Sequence, residues 1–286
     1  MNGIINVIKP PGMTSSGAVV YLRRILGEKR IGHTGTLDPG AAGVLPVCVG
    51  RSTRLSQIIM DHEKSYLAEI LFGVSTDTLD SYGELVQQCM CNVSEQEFLE
   101  ALPHFTGELM QTPPAYSAVK IDGKKSYELA RKGIVKSKPP RRISIFENKL
   151  IAQTGKNRFL VRIRCSKGTY IRKIAEDLGE YLGLPACLMF LLRESSGGYE
   201  LQGGYTLDEI AEMTQNGDSS FLNAPETAVL QMERVDCDNR FAIDHGMELS
   251  GPCPEKGPFR VYCERDFYGL GEPSGNGYKL TVLLKD

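Results

Sequence analysis

Residues 32–47 read Gly32-His33-Thr34-Gly35-Thr36-Leu37-Asp38-Pro39-Gly40-Ala41-Ala42-Gly43-Val44-Leu45-Pro46-Val47, with four glycines, two prolines and a single carboxylate. Small residues on both sides of Asp38 let a ligand approach the backbone closely. Pro39 restricts Asp38 to extended conformations. We interpret residues 32–47 as a glycine-rich loop on which Asp38 is a candidate nucleophile or base. The alternative is an aspartate that only shapes a turn.

Two further segments carry candidate functional side chains. The first reads Cys165-Ser166-Lys167-Gly168-Thr169-Tyr170-Ile171-Arg172 and lies between a predicted strand and a predicted helix. The free N–H groups of a helix N-terminus favour anions, although an ordinary helix start with charged surface residues has the same composition. The second reads Lys64-Ser65-Tyr66 at a predicted strand start, where an aromatic side chain usually belongs to the core.

The charge of the chain is unevenly distributed. The 286 residues have a formal net charge of −2, which taken alone does not indicate a nucleic-acid-binding protein. Residues 1–60 carry a net +5 and residues 111–173 a net +14, whereas residues 61–110 carry −9 and residues 174–286 carry −12. This asymmetry favours a polyanionic partner, and the alternative is mutual neutralisation of basic and acidic faces within the fold.

Composition excludes several classes of protein. Eight cysteines in 286 residues do not form a disulfide scaffold, and their spacing with the four scattered histidines gives no zinc motif, so we expect no metal. No phosphate-binding loop with Gly-Lys-Ser/Thr and no dinucleotide fingerprint is present, so we expect no cofactor. The N-terminus has no signal-peptide pattern, and no run of 18 apolar residues predicts a membrane span. We expect a cytoplasmic protein with free thiols.

The pattern of apolar residues predicts a mixture of strands and helices. Strands are predicted at residues 3–8, 65–72, 116–121, 143–151 and 158–165. Helices are predicted at residues 15–26 with Ser15 or Ser16 as cap, and at 53–60, 92–102, 170–182 and 207–213. Ser94-x-x-Glu97 and Thr206-x-x-Glu209 predict capping boxes at the starts of the third and fifth of these helices. The elements do not alternate regularly, which favours an α+β fold over a doubly wound sheet. Short apolar pieces between Gly and Pro predict a small β-rich domain at residues 232–286, after a catalytic domain at residues 1–231.

These segments together resemble the TruB family of bacterial tRNA pseudouridine synthases. The matching pieces occur in family order at residues 6–15 (NVIKPPGMTS), 32–47, 64–66 (KSY), 76–80 (TDTLD), 116–120 (YSAVK), 165–172 (CSKGTYIR) and 191–193 (LLR). The resemblance implies a pseudouridine synthase fold, with a mixed, mainly antiparallel sheet, flanking helices and a catalytic cleft. It also implies isomerisation of uridine 55 in the T arm (TΨC loop) of tRNA, without a cofactor.

The resemblance also implies roles for individual residues. Asp38 matches the catalytic aspartate, Arg172 the arginine that pairs with it, and Tyr66 the tyrosine that stacks on the target base and is a candidate acceptor of the C5 proton. The remaining matches are expected to bind or shape the substrate site: His33, which meets the flipped nucleotide, Leu191 in the uracil pocket, Lys9, Tyr170, Lys167 and Arg193.

Residues 117–142 resemble the basic insertion with which the family holds RNA. Its expected phosphate contacts include Lys120, Lys124, Lys125, Arg141 and Arg142. A solvated charged loop is the alternative. The family often has Leu-Arg-Arg where this chain has Leu192 before Arg193, followed by Glu194, so one phosphate contact is expected to be missing. Residues 267–272 weakly resemble a motif of PUA-type RNA-binding barrels.

We therefore expect a monomeric enzyme whose partner is the T arm of tRNA, with no protein partner and no membrane. Within the same class, a guide-RNA-dependent synthase like dyskerin is the alternative, although the chain is short for one and has no basic tails. In a different class, the alternative is an RNA-binding chaperone that helps tRNA to fold and has lost catalysis. The order of the chemical steps stays open.

Overall fold

The computed structural model describes residues 1–116 and 138–285, together with the backbone of two short strands between these ranges. Its strands, β1 to β20 in chain order, are Gly3–Lys9, Ile31–His33, Ala42–Val49, Lys64–Phe72, Val74–Thr76, Leu85–Gln88, Gly107–Gln111, Lys120–Ile121, Lys124–Lys125, Arg141–Gly155, Arg158–Cys165, Ala186–Ser196, Tyr199–Glu200, Tyr205–Thr206, Leu222–Asn223, Arg234–Cys237, Leu249–Ser250, Phe259–Cys263, Asp266–Ser274 and Gly277–Leu283. Its α-helices, α1 to α6, are Ser15–Leu26, Ser56–Asp61, Glu95–Ala101, Ile171–Leu182, Leu207–Gln215 and Arg240–Asp244. Short 3-10 helices occupy Gly50–Leu55, Leu102–Phe105 and Pro225–Ala228.

Eleven of the described strands form one mixed sheet. Its main path runs β14-β1-β3-β12-β4-β11-β10-β7, with β2, β13 and β15 paired to β3, β12 and β1. The β1–β14 and β3–β12 pairs are parallel, and the other described pairs of this sheet are antiparallel. The predicted mixed, mainly antiparallel sheet of an α+β fold is thereby confirmed.

Alternation along β4 and β11 places their buried side chains on one face of this sheet. In β11 the side chains of Phe159, Val161, Ile163 and Cys165 are buried, as their spacing of two predicts. The rings of Phe72, Phe98 and Phe159 pack together, with centroids 4.3 to 5.9 Å apart. Helix α4 buries Ile171, Ile174, Ala175 and Leu178 in the same core, and this packing fixes the direction of its N-terminal turn toward the sheet.

Helix starts follow the capping rules, with one correction. Helices α3 and α5 begin with the predicted capping boxes, Ser94 with Glu97 and Thr206 with Glu209. Helix α1 is capped by Thr14 rather than by Ser15 or Ser16, through a hydrogen bond from the Gly17 N–H to the Thr14 hydroxyl at 2.9 Å. Ser15 is unavailable as a cap because its hydroxyl exchanges hydrogen bonds with the backbone of Leu37.

Two central strands were not predicted from the sequence, and the interpretation of residues 32–47 as one loop was wrong. Residues Ala42–Val49 form β3, and Ala186–Ser196 form β12. Strand β3 is buried at seven of its eight positions, so it shows no alternation to distinguish it from a loop or a helix. Gly43 allows the two strands to approach, because a Cβ atom there would lie 2.3 Å from the carbonyl oxygen of Arg193.

Residues 234–283 form a separate five-stranded sheet, in the order β16-β18-β19-β20-β17. Its Leu270 and the nearby Leu284 pack against Ile4 and Leu55 of the large-sheet region. Backbone carbonyls at the end of the chain accept hydrogen bonds from Asn2 and Arg54, at 3.0 and 2.6 Å. Among the described residues, no helix has the length and apolar character required to cross a membrane.

Candidate active site

Asp38 lies on a short loop between β2 and β3 that is fixed at several points. The N–H of Thr34 donates to the Pro46 carbonyl at 3.0 Å, and the N–H of Leu37 donates to the Ser15 hydroxyl at 2.8 Å. The Ala41 N–H donates to the carbonyl of Asp38 itself at 3.1 Å. These bonds hold the backbone on both sides of Asp38, while its side chain remains 37% exposed and accessible to a substrate.

Arg172 contacts both carboxylate oxygens of Asp38. Its Nε lies 2.9 Å from Oδ2, and its Nη2 donates to Oδ1 at 3.0 Å. The guanidinium also donates to the backbone carbonyls of Thr78 and Tyr116, at 2.8 and 3.0 Å. With a side chain only 6% exposed, Arg172 is a rigid positive group that sets the orientation of the carboxylate.

A second carboxylate, that of Asp80, lies on the other side of Arg172. Its Oδ2 is 3.7 Å from Arg172 Nη1, and its Oδ1 accepts hydrogen bonds from the Thr78 hydroxyl and the Tyr82 N–H. Asp80 ends the motif at residues 76–80 that resembles the family, but the resemblance predicted no role for it. The motif was the one feature of the sequence that pointed to Asp80. Its proximity to Arg172 could not be predicted, because the two residues become neighbours only in the tertiary fold.

Tyr66 and Arg193 face each other on β4 and β12, in antiparallel register. Both are buried, Tyr66 to 7% and Arg193 to 1% exposure. Burial raises the pKa of Tyr66 to about 12, although the positive charge of Arg193 and its hydrogen bond to the phenol oppose the rise. The Arg193 Nε donates to the Val44 carbonyl at 2.6 Å, so the guanidinium lies inside the protein, between β12 and β3, rather than on the surface.

Two lysines are buried beside these groups. Lys9 is fully buried and donates from Nζ to the carbonyls of Pro10 and Met13, both at 2.7 Å. Burial lowers its pKa to about 8, and the negative charge of Asp38 partly offsets that shift. Burial and the nearby Arg193 likewise lower the pKa of Lys64 to about 8. The interior next to Asp38 is therefore strongly positive.

An open cleft lies above the Asp38–Arg172 pair. Leu191, 9% exposed, lines it on the β12 side. The lining also includes Asp80, Tyr82, Met189 and Phe190. The structure thus brings Leu191 together with Asp38 and Arg172 at one opening, and it adds two exposed aromatic rings that the sequence analysis did not single out.

Three other predicted site residues lie around this centre. His33 is half-buried at the end of β2, opposite Val47 of β3 and five residues before Asp38. Tyr170 precedes α4, and its N–H donates to the side chain of Gln111 at 2.8 Å. Arg141 donates to the Gly168 carbonyl, and its guanidinium lies 4.7 Å from the centroid of the Tyr170 ring. Arg141 therefore supports the turn that leads into α4.

The remaining predicted contacts are at the surface or outside the described residues. Lys167 pairs with Asp61 at 2.8 Å, and Arg142 with Glu108 at 3.4 Å, both in exposed positions. Lys120, Lys124 and Lys125 belong to the strand pair β8–β9, but their side chains and residues 117–119, 122–123 and 126–137 lie outside the described part of the chain.

Within the described ranges, one group of three carboxylates is close enough to share a cation: Glu176, Asp177 and Glu180 on α4. The ammonium of Lys173 already lies 2.7 Å from Glu176 and from Asp177. That lysine supplies the positive charge which the cluster needs, so we assign it no metal ion.

Both the sequence and the fold of the chain are similar to those of known proteins. The model of the TruB family of pseudouridylate synthases (N-terminal domain) matches residues 23–171. The chain is 46% identical over 213 residues to the tRNA pseudouridine synthase B of Caldanaerobacter subterraneus, which covers 74% of this chain and 75% of that protein. It is 42% identical over 281 residues to the tRNA pseudouridine synthase B of Bacillus cytotoxicus, and this match covers 94% of this chain and 91% of that protein.

Among solved structures, the crystal structure of a Cbf5-Nop10-Gar1 complex contains a similar chain, with a TM-score of 0.76 and 23% identity over 99% of this chain and 85% of that one. The structure of an H/ACA RNP bound to a substrate RNA contains another similar chain, with a TM-score of 0.75 and 21% identity. This match covers 99% of this chain and 85% of that one. These likenesses confirm the predicted pseudouridine synthase fold.

Proposed function

The chain belongs to the TruB family of pseudouridylate synthases, and from this premise we propose that it isomerises uridine 55 in the T arm of tRNA to pseudouridine. The observation that supports this most is the Asp38–Arg172 pair: one exposed carboxylate, held at both oxygens, at the bottom of an open cleft. The enzyme is an isomerase, so no atom is gained or lost overall, and we assign it no cofactor.

The chemistry requires one bond to break and one to form. The N1–C1′ glycosidic bond breaks, the uracil turns, C5 bonds to C1′, and the C5 proton leaves while N1 gains a proton. Cleavage develops positive charge at C1′, which an adjacent carboxylate stabilises or traps. Asp38 serves each available route: attack on C1′, addition at C6, or removal of the 2′ proton to give a glycal.

We assign orientation of the carboxylate to Arg172 and packing against the target base to Tyr66 and Leu191. The pKa of about 12 keeps the Tyr66 phenol protonated at neutral pH. We therefore assign stacking on the target base as the first role of the Tyr66 ring. Its phenol oxygen can accept the C5 proton only if the phenol proton is transferred to another group at the same time. Lys9 shapes the loop, because its ammonium holds the backbone carbonyls of residues 10 and 13.

The target uridine must leave its stack to reach Asp38, at a cost of a few kcal/mol. We propose that His33 meets the flipped nucleotide, and that basic side chains offset the cost by binding phosphates. These are Lys167 and Arg142 at the surface and Lys120, Lys124 and Lys125 in the insertion. Arg141, Tyr170 and Arg193 support the site from within, since each bonds or packs against protein groups.

We further propose a monomer that works in the cytoplasm. It divides near residue 231 into a catalytic domain and a small PUA-like domain, because strands 234–283 form a sheet and a core of their own. The negative charge of residues 174–286 favours tRNA contacts on residues 1–60 and 111–173 over contacts on the C-terminal sheet.

The proposal is tested by incubating the protein with an unmodified tRNA transcript and mapping pseudouridine chemically. We expect product at the T-arm uridine and none in a control transcript that carries cytidine there. A guide-independent product also excludes the guide-RNA-dependent alternative. Tight binding without product would overturn the proposal in favour of the tRNA-folding chaperone.

A further inference from the structure

Tyr82 is an exposed aromatic residue at the edge of the cleft. It lies between β5 and β6, and 68% of it is accessible to solvent. One part of its ring lies against the backbone of Gly40, two residues after Asp38. A Cβ atom at Gly40 would be 2.0 Å from Tyr82 Cε2, so the absence of a side chain there allows the contact. One edge of the Tyr82 ring therefore contacts the Gly40 backbone, while most of the ring stays accessible to solvent.

Hydrogen bonds hold the turn that carries Tyr82. The Tyr82 N–H donates to Asp80 Oδ1 at 3.1 Å. The adjacent Ser81 donates from its N–H to the Leu188 carbonyl at 3.0 Å and from its hydroxyl to the Met189 carbonyl at 3.2 Å. These bonds attach the turn to β12 directly before Phe190, so the two aromatic residues are held on adjoining segments.

Phe190 is the second exposed aromatic residue of this wall. It remains 45% exposed although it belongs to a central strand, and it lines the same cleft as Tyr82, Asp38 and Arg172. Exposed aromatic rings beside a polar site offer flat apolar surfaces to a ligand that has flat apolar faces of its own. Nucleobases have such faces, and stacking on aromatic rings is tolerant of base identity.

We propose that Tyr82 and Phe190 form a stacking surface for the nucleotide next to the target uridine. This inference rests on the proposed function. When the target uridine leaves the stack, its neighbour loses one stacking partner, and an aromatic ring at the cleft edge replaces it. The Tyr82 ring is the main contact because it is the more exposed of the two and its backbone is held by Asp80 and β12.

The test combines a change in the protein with a change in the RNA. Tyr82→Ala and Tyr82→Phe are assayed for kcat/KM on a T-arm stem-loop with an intact neighbouring base, and on two versions with an abasic nucleotide immediately 5′ or 3′ of the target. On intact RNA we expect Tyr82→Ala to lower kcat/KM by about 5- to 150-fold, the range for loss of one stacked base. Tyr82→Phe should stay within about twofold, because the ring remains.

On one of the two abasic RNAs, the same Tyr82→Ala substitution should change kcat/KM by less than about twofold, because the stacking partner is already gone. Phe241→Ala is the matched control, since Phe241 is 66% exposed but lies in the C-terminal sheet region. The inference is wrong if Tyr82→Ala leaves kcat/KM on intact RNA unchanged, or if it lowers kcat/KM on both abasic RNAs as much as on intact RNA. It is also wrong if Phe241→Ala lowers kcat/KM on intact RNA to the same extent. Absence of product from the wild-type protein would instead contradict the proposed function.

Discussion

The guanidinium of Arg172 contacts both carboxylate oxygens of Asp38, 134 residues earlier in the chain, at 2.9 and 3.0 Å. Arg172 is nearly buried, whereas Asp38 is partly open to the cleft. The hydrogen bond from Nη2 to Oδ1 and the ion-pair contact between Nε and Oδ2 together restrict the position of the carboxylate. We propose that this geometry holds the carboxylate in position for chemistry at C1′.

Arg172→Lys should distinguish the effect of the positive charge beside Asp38 from the effect of the contacts that the guanidinium makes. A lysine keeps the positive charge but has one compact ammonium, which does not reproduce the contacts to both Asp38 oxygens and to the Thr78 and Tyr116 carbonyls. We expect the single-turnover rate to fall at least about 100-fold, while the Kd for tRNA stays within about fivefold. Arg164→Lys, in an exposed pair with Glu63, is the control and should keep its rate. A fall of less than tenfold in Arg172→Lys would show that the paired contact is dispensable.

Asp80→Asn should slow the reaction without weakening binding. The amide oxygen still accepts from Thr78 and Tyr82, but the negative charge 3.7 Å from Arg172 is lost, so the guanidinium is held less firmly. We expect a single-turnover rate about tenfold lower and an unchanged Kd. Asp77→Asn removes the same charge from the same turn, and it should have the smaller effect because the Asp77 carboxylate bonds to the Glu84 N–H and the Tyr116 hydroxyl rather than to Arg172. A rate equal to the wild type would remove Asp80 from the account.

The buried Lys9 should make stability rise with pH. Its pKa is about 8 in the folded protein and higher in the unfolded chain, so between these values the unfolded state binds more protons. Burial of the charged ammonium lowers the free energy of unfolding. This loss disappears as pH rises above about 8, because the buried Lys9 becomes neutral. Between pH 7 and pH 9 the wild type should gain about 1 kcal/mol in unfolding free energy relative to Lys9→Met, measured by urea denaturation. Parallel pH profiles of the two proteins would contradict the shifted pKa.

The basic insertion should govern the salt dependence of tRNA binding. Lys124→Gln with Lys125→Gln should weaken binding and reduce the slope of log K against log salt by about two, or about one for each phosphate contact. Lys256→Gln with Lys279→Gln makes the same change of charge at exposed positions of the C-terminal region and should leave the slope unchanged. An unaltered slope in the insertion variant would remove this segment from the RNA interface.

Much of the fold could be predicted from local sequence. The capping boxes at Ser94 and Thr206 and the alternation of β11 depend on residues within a few positions of each other, and the structure has them where the sequence predicts. Strand β3 was missed because nearly continuous burial removes the alternation that identifies a strand. Strand β12 was missed because it alternates only along part of its length and its pairing with β4 contains two register shifts. The Ser15 cap was wrong because its hydroxyl is committed to Leu37, a contact that only the tertiary fold creates.

The candidate site was predicted in outline through the family resemblance, which supplied Asp38, Arg172 and Tyr66. Asp80 and Tyr82 were not predicted, since no local pattern shows that residues 80–82 face Arg172 and Gly40. The burial of Lys9 and Arg193 was equally hidden, because lysine and arginine are usually exposed. Their place in the interior becomes evident only when β1, β3 and β12 are assembled side by side.

The most direct test of the central claim is Asp38→Asn beside the wild type, with single-turnover mapping of pseudouridine on an unmodified tRNA transcript and Kd measured on the same RNA. Asparagine keeps the size of the side chain but removes the carboxylate for which we propose the chemistry at C1′. We predict product at the T-arm uridine with the wild type, none with Asp38→Asn, and a Kd within about tenfold of the wild type. Product from Asp38→Asn at the wild-type rate would contradict the account.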